Sequence, residues 1–136
     1  MQSNTNIKRG TTPELPITIE TPCENIKHID FIFKKDKNEK APKLLEKSFN
    51  IVEEDSDNGK IIKAVNVDSD GIDATIEVSG EYFVINVPFD ENDTRKLPKG
   101  TVFMDTGIVY TNNIIPTTEI VELDILETLF SEVFNK

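Results

Sequence analysis

His28 and Cys23 are the two side chains of this chain most suited to nucleophilic chemistry, and they lie close together in sequence. A histidine beside a cysteine can act as the base that makes the thiol a nucleophile. However, the alternation around His28 places it with Asp30 on the face opposite Ile29 and Phe31, which predicts a surface position. Cys23 follows Pro22 in a segment that reads as a loop. The sequence also lacks the G-x-S-x-G, P-loop and G-x-G-x-x-G motifs. No catalytic residue and no cofactor is predicted, and a hydrolase with unrecognised carboxylates remains an alternative.

Two acidic turns raise the question of a calcium site, because Ca²⁺ binds several carboxylate and carbonyl oxygens in a loop. In EEDSDNGK, Asp55 and Asp57 stand two apart, but the glycine occupies the wrong position for a calcium loop of the helix-loop-helix type. VDSDGID offers Asp68, Asp70 and Asp73, again with a displaced glycine. Asp, Asn and Gly are also the residues of an ordinary turn. The prediction is a solvated turn, with Asp68, Asp70 and Asp73 as the alternative metal site.

Composition narrows the classes of function. The chain has 136 residues, a formal net charge of -10 and one cysteine. An acidic chain without clustered Lys and Arg does not predict a nucleic-acid surface. There is no run of about 18 apolar residues and no apolar region of a signal peptide, so neither a membrane span nor secretion is expected. The expectation is a single domain made in a cytoplasm.

Short alternating segments dominate the chain, and such alternation predicts half-buried strands. KLLEKSFNIV is ambiguous between strand and helix. The predicted segments are PITIE, IKHIDFIFKK, KLLEKSFNIV, GKIIKAVNVD, GIDATIEVS, EYFVINVP, TVFMDTGIVY and IIPTTEIVELDI. This spacing predicts an all-β fold of seven to eight antiparallel strands, a sandwich or a barrel. The apolar residues out of register in IIKAVNVD predict an edge strand completed by another subunit.

Local signals refine three of these segments. In GIDATIEVS, the alternating apolar residues predict one buried face, formed by Ile72, Ala74, Ile76 and Val78. Gly80 in SGEY supplies the positive φ of a tight hairpin. After Pro88, Asp93 or Thr94 is predicted to cap one helical turn before Pro98 and Gly100 end it.

The spacing of apolar residues changes from a strand period to a helix period at the end of the sequence. Leu126, Leu129, Phe130 and Val133 follow i, i+3, i+4, i+7 spacing, which predicts a short amphipathic helix over residues 126–136. Together with Phe134 they form a face too apolar to stay in water. The helix either closes one end of the β domain or docks on a neighbouring subunit.

The segment RGTTP, Arg9 to Pro13, precedes the first predicted strand. Pro13 disfavours helix at Thr12 and Gly10 permits a bend, so the segment can lead into an edge strand. Arg9 has no local role in this geometry. We expect it to form an ion pair with an acidic surface of a neighbouring copy.

The chain contains, in this order, the segments RGTTP, IDFIFKK (29–35), FVINVPFDENDTRKLPKGTVFMD (83–105) and IIPTTEIVELDI. This series of segments resembles the sequences of a group of small phage and prophage tail-region proteins. These are similar to the immunoglobulin-like N-terminal domain of phage baseplate upper proteins. The resemblance implies an immunoglobulin-like β-sandwich, which we place at 11–125, between an N-terminal arm at 1–10 and the C-terminal amphipathic segment at 126–136.

The same resemblance implies a non-enzymatic module of a phage tail, neck or baseplate that acts through protein-protein contacts. Its expected partners are other virion or tail proteins and further copies of itself in a homo-oligomer, with no nucleic acid and no membrane. Its expected location is the virion, after synthesis in the host bacterial cytoplasm. The alternative is a bacterial β-sandwich accessory domain that binds carbohydrate, a small ligand or calcium through its turns.

Overall fold

A computed structural model describes residues 5–38, 40–57, 59–111 and 119–127 of the protein. These residues form nine strands, a 3-10 turn at Cys23–Asn25 and one short helix, α1 (Glu91–Arg95). The strands are β1 (Thr5–Lys8), β2 (Glu14–Ile19), β3 (Ile26–Lys34), β4 (Lys43–Ser56), β5 (Gly59–Asn66), β6 (Thr75–Ser79), β7 (Tyr82–Pro88), β8 (Gly100–Tyr110) and β9 (Glu119–Leu126). The all-β prediction is confirmed, and each predicted strand overlaps an observed one. No helix among the described residues is long and apolar enough to cross a bilayer.

The strands form two sheets. Six of them lie in the order β1-β9-β8-β3-β4-β5, and three lie in the order β2-β7-β6. All pairs are antiparallel except β1 with β9, which is parallel. Both β1 and β9 run toward α1, where Arg9 contacts Glu127 and the backbone carbonyl of Arg95. The sequence placed residues 5–8 in an arm and predicted antiparallel pairs only, so both expectations are corrected here.

One core joins inward-facing side chains of both sheets. On β3, Ile29, Phe31 and Phe33 are fully buried on one face, as the alternation predicted. Phe31 meets Phe49 of β4 edge to face, with ring centroids 6.1 Å apart. Burial of each such aromatic side chain contributes about 1.5–3 kcal/mol to folding. The ambiguous segment that begins at Lys43 is therefore a strand because its alternate residues complete this core.

The end of the described chain departs from the sequence prediction. Leu126 is the last residue of β9 and does not begin a helix. The reason is its backbone pairing, since β9 pairs with β8 up to Ile125 and with β1 up to Leu126. The other four residues of the predicted apolar face, Leu129, Phe130, Val133 and Phe134, lie outside the described residues, so that prediction stays a prediction.

Candidate functional site

The segment Arg9 to Pro13 is anchored to α1. The backbone N–H of Gly10 donates to Thr94 Oγ1 at 2.9 Å, and this hydroxyl donates to the carbonyl of Thr11 at 2.9 Å. Thr94 is fully buried. Its hydroxyl therefore connects two segments that are more than 80 residues apart in the chain.

Capping of α1 differs from the prediction. Asp90, not Asp93 or Thr94, is the N-cap, and its carboxylate accepts the N–H of Asp93 at 2.7 Å. Asp93 returns the bond by accepting the N–H of Asp90 at 3.0 Å, which completes a capping box. The helix starts earlier than predicted because Asp90 has the extended backbone that an N-cap requires.

Arg9 has partners within its own chain. Its Nη1 lies 2.8 Å from Glu127 Oε1, and its Nη2 donates to the carbonyl of Arg95 at 3.1 Å. The expected ion pair with a neighbouring copy assumed that this guanidinium had no local partner, and that assumption is wrong. Arg9 instead connects β1, α1 and the end of β9.

A cleft of about 380 Å³ lies beside α1 and the turn after β5. Its charged lining consists of Glu46, Asp68, Asp70, Asp90 and Asp93, together with Lys47 and Lys96. Lys47 lies in the inward register of β4 between Leu45 and Phe49, and its side chain is only 8% exposed. Its Nζ lies 2.6 Å from Asp93 Oδ2 and 5.4 Å from the ring centroid of Phe89. This buried ion pair holds α1 against the large sheet.

The acidic turn at the mouth of this cleft is organised by the amide of Asn66. The side-chain oxygen of Asn66 accepts the N–H of Asp68 at 2.9 Å, and its Nδ2 donates to the carbonyl of Ile72 at 3.1 Å. Asp73 Oδ1 accepts the backbone N–H of Asn66 at 2.8 Å. Among the residues that the structure describes, no three His, Cys, Asp or Glu side chains are arranged to hold a metal ion. The alternative site of Asp68, Asp70 and Asp73 is therefore not brought together.

His28 is hydrogen-bonded on the outer face of the large sheet. Its Nδ1 lies 2.8 Å from Asn50 Oδ1, and its Nε2 lies 2.7 Å from Asp30 Oδ1. Ser48 Oγ donates to the same Asp30 oxygen at 2.5 Å. In a serine protease triad the imidazole stands between the hydroxyl and the carboxylate. Here the Asp30 carboxylate lies between the His28 imidazole and the Ser48 hydroxyl, so the imidazole does not activate the hydroxyl.

Cys23 is not paired with His28. Both ring nitrogens of His28 are engaged with Asn50 and Asp30, while Cys23 lies in the core at 2% exposure. The segment around Cys23, which the sequence predicted as a loop, is a 3-10 turn that points the thiol inward. A nucleophile must reach its substrate, and neither group is arranged for that purpose.

Most of the exposed large apolar side chains lie on β5, on β6 or on the chain next to them. Of the seven large apolar side chains that are exposed among the described residues, five belong to β5, β6, the chain between them or the start of β7. They are Ile61, Val67, Ile72, Val78 and Tyr82. The predicted buried face of GIDATIEVS is thus wrong in part, since only Ala74 is buried and Ile76 is partly buried. The reason is position, because β6 is an edge strand and Ile72 precedes it in a loop.

The backbone of β5 also faces outward along this side. Its placement at the end of the six-stranded sheet confirms the predicted edge strand, while its completion by another subunit stays a prediction. Ala64 accepts the N–H of Ala74 at 3.1 Å, away from β4, and Val67 donates to Ser48 of β4. Because backbone groups alternate in direction along an antiparallel strand, Ile62 points its N–H and C=O away from β4.

Sequence reasoning missed the roles of Lys47 and Thr94. Lys47 stands between two inward-facing apolar residues in the strand pattern, and this position already indicates that its charge needs a buried partner. Nothing near Thr94 in the sequence indicated the contact with Gly10 and Thr11.

No family model matches this chain. No curated protein matches it either.

Proposed function

We propose that the protein is a non-enzymatic structural or assembly module of a phage tail, neck or baseplate, built as an immunoglobulin-like β-sandwich, and that it acts through protein-protein contacts. The observation that carries this proposal is that most of the exposed large apolar side chains of the described residues lie on the edge strands β5 and β6 or next to them. Edge strands with exposed apolar residues are the usual places where another chain pairs with a sheet.

The resemblance to phage tail-region proteins gains support from the way its segments meet. RGTTP and the DENDTR segment, which lie far apart in the sequence, are joined by the buried hydroxyl of Thr94. This contact makes them parts of one structural unit.

The arrangement of the reactive side chains also favours a binding role over catalysis. The imidazole of His28 is used by Asn50 and Asp30, and the thiol of Cys23 is buried. Lys47 and Asp93 neutralise each other at the base of the cleft. Each of these groups therefore has a structural use that accounts for its position.

Mass spectrometry of purified virions tests the proposal in a phage or induced prophage that carries the gene. We expect the protein in stoichiometric amounts in wild-type particles, and defective tails when the gene is deleted. Normal, fully infectious particles that lack the protein would refute the proposed role. Calorimetric titration with calcium and with oligosaccharides addresses the accessory-domain alternative, and we expect no heat of binding.

A further inference from the structure

Strand β4 carries opposite charges at its two ends. It has 14 residues and therefore spans about 43 Å, at about 3.3 Å per residue. Residues 34–43, which lead into it, contain five lysines and two carboxylates. Residues 53–60, around the turn into β5, contain four carboxylates and one lysine. A surplus of positive charge thus lies where β4 begins, and a surplus of negative charge lies where it ends.

The end of β4 forms a hairpin with β5 that extends past the pairing with β3. The β3–β4 pairing stops at Asn50, so residues 51–56 pair with β5 alone. Near the turn, Asp55 and Asp57 are exposed, and neither forms an ion pair with any residue that the structure describes. Ile61, on the β5 side, is 46% exposed. We call this part of β4 and the facing part of β5 the acidic hairpin.

Lysines from three segments border Leu126 at the opposite end of the large sheet. Lys8 of β1 lies directly opposite Leu126, which is 39% exposed at the end of β9. β8 begins beside the same end of β9, and Lys99 immediately precedes it. From the loop after β3, the Nζ of Lys35 reaches the start of β8 and donates to the carbonyl of Thr101 at 3.1 Å. All three lysines are exposed. We call them, together with Leu126, the basic corner.

Carboxylates near the basic corner do not cancel its charge. Glu127 lies 2.8 Å from Arg9, which neutralises it. The other carboxylates that the structure describes beside the corner are Asp36, Glu122 and Asp124. The loop after β3 adds further cations, which are Lys34, Lys37 and Lys40. Lysines therefore outnumber carboxylates here, in a chain whose net charge is -10.

We propose that copies of this chain associate head to tail, with the acidic hairpin of one copy docked on the basic corner of the next. In this contact the carboxylates of Asp55 and Asp57 face the lysines. Ile61 and Leu126 each supply an apolar side chain that the contact removes from water. Because the two faces differ, the contact does not close as a twofold dimer and continues into a ring or a filament.

The partner is a second copy because every chain carries both faces and their charges are opposite. The net charge of -10 on each copy opposes association. At physiological salt, however, exposed charges more than about 8 Å apart are largely screened, so the charges that meet at the contact decide its sign. The inference rests on the proposed role in protein-protein contact and gives that role one defined partner.

Paired charge reversals test the contact in the isolated full chain. The hairpin variant is Asp55→Lys with Asp57→Lys, and the corner variant is Lys35→Glu with Lys99→Glu. Light scattering at about 0.15 M salt should show the wild type growing beyond dimers as its concentration rises. Each variant should weaken this association at least about tenfold, the equivalent of about 1.4 kcal/mol.

The matched control is Asp68→Lys with Asp70→Lys. It makes the same change in net charge as the hairpin variant, in an exposed turn that follows the other end of β5. We expect the control to associate within about twofold of the wild type, since charges far from the contact are screened. Circular dichroism checks that every variant keeps the fold.

Mixing the two variants shows whether two different faces meet. An equimolar mixture should associate again, because every contact between unlike variants joins opposite charges. A chain that carries all four substitutions should associate by itself for the same reason. Recovery in neither case, equal weakening by the hairpin variant and the control, or a wild type that stays monomeric up to about 1 mM would overturn the inference. A dimer that does not grow further would also overturn it. Self-association of the isolated protein and its presence in virions are separate measurements, so failure of one is distinguishable from failure of the other.

Discussion

Replacing Thr94 by valine tests how the Arg9–Pro13 segment is held. Valine keeps the β-branched shape of threonine, so packing around the fully buried side chain is preserved. The substitution exchanges the hydroxyl for a methyl group, which makes no hydrogen bond. It leaves the N–H of Gly10 and the carbonyl of Thr11 without the bonds of 2.9 Å that each makes to Oγ1.

The size of the effect follows from those two backbone groups. A buried polar group that loses its partner costs about 1–3 kcal/mol. Gly10 and Thr11 are only partly buried, so water can compensate in part and the lower end of that range applies to each. We expect Thr94→Val to lower the free energy of unfolding by about 2 kcal/mol. For a chain of 136 residues this corresponds to a fall in Tm of about 7 °C.

Urea denaturation followed by far-UV circular dichroism measures the change. Thr101→Val is the control, because Thr101 is exposed on β8 and should change stability by less than about 0.5 kcal/mol. Amide exchange at Gly10 should accelerate in Thr94→Val and not in the control. A loss below about 0.5 kcal/mol, or an equal loss in both variants, would show that the hydroxyl does not anchor the segment.

Three further predictions concern other parts of the structure. Lys47→Met should cost about 3 kcal/mol, because it leaves Asp93 as an uncompensated carboxylate that is only 14% exposed. A double-mutant cycle with Asp93→Asn, followed by urea denaturation, should show strong coupling, and additive losses would contradict the ion pair. Gly80→Ala should lower the free energy of unfolding by about 1 kcal/mol, measured by thermal denaturation, because Gly80 has φ 70° and no neighbour within 4 Å. Gly80→Asn should lower it less, since Asn tolerates a positive φ. Equal losses in the two variants would argue against a backbone cause. The hydrogen bond and charge of Glu54 raise the pKa of Lys63 above its ordinary 10.5, so the stabilisation from this exposed pair is present below that pH and is lost as pH rises through the raised pKa. An NMR titration should show the pKa of Lys63 falling toward 10.5 in Glu54→Gln, and an unchanged value would refute the assigned cause.

Among the described residues, local sequence patterns predicted every strand except β1 and identified part of the core. Alternation with a period of two marks which side of a strand meets the core, and it identified Ile29, Phe31 and Phe33 correctly. The hairpin at Gly80 was likewise readable, because few residues adopt a positive φ without strain. These are local properties, fixed by neighbours within a few positions of the chain.

Which face of each strand is buried depends on how the two sheets are assembled. The alternation in GIDATIEVS correctly described a strand with two faces, but only the sheet order makes β6 an edge and leaves Val78 exposed. The partners of Arg9, Thr94 and Lys47 lie between 46 and 118 residues away in sequence. Contacts over such distances depend on how the two sheets and α1 pack together, and no local period of the sequence carries that information. The exposure of apolar side chains on β5 and β6 is therefore a property of the packing, while the strands themselves are predicted by the sequence.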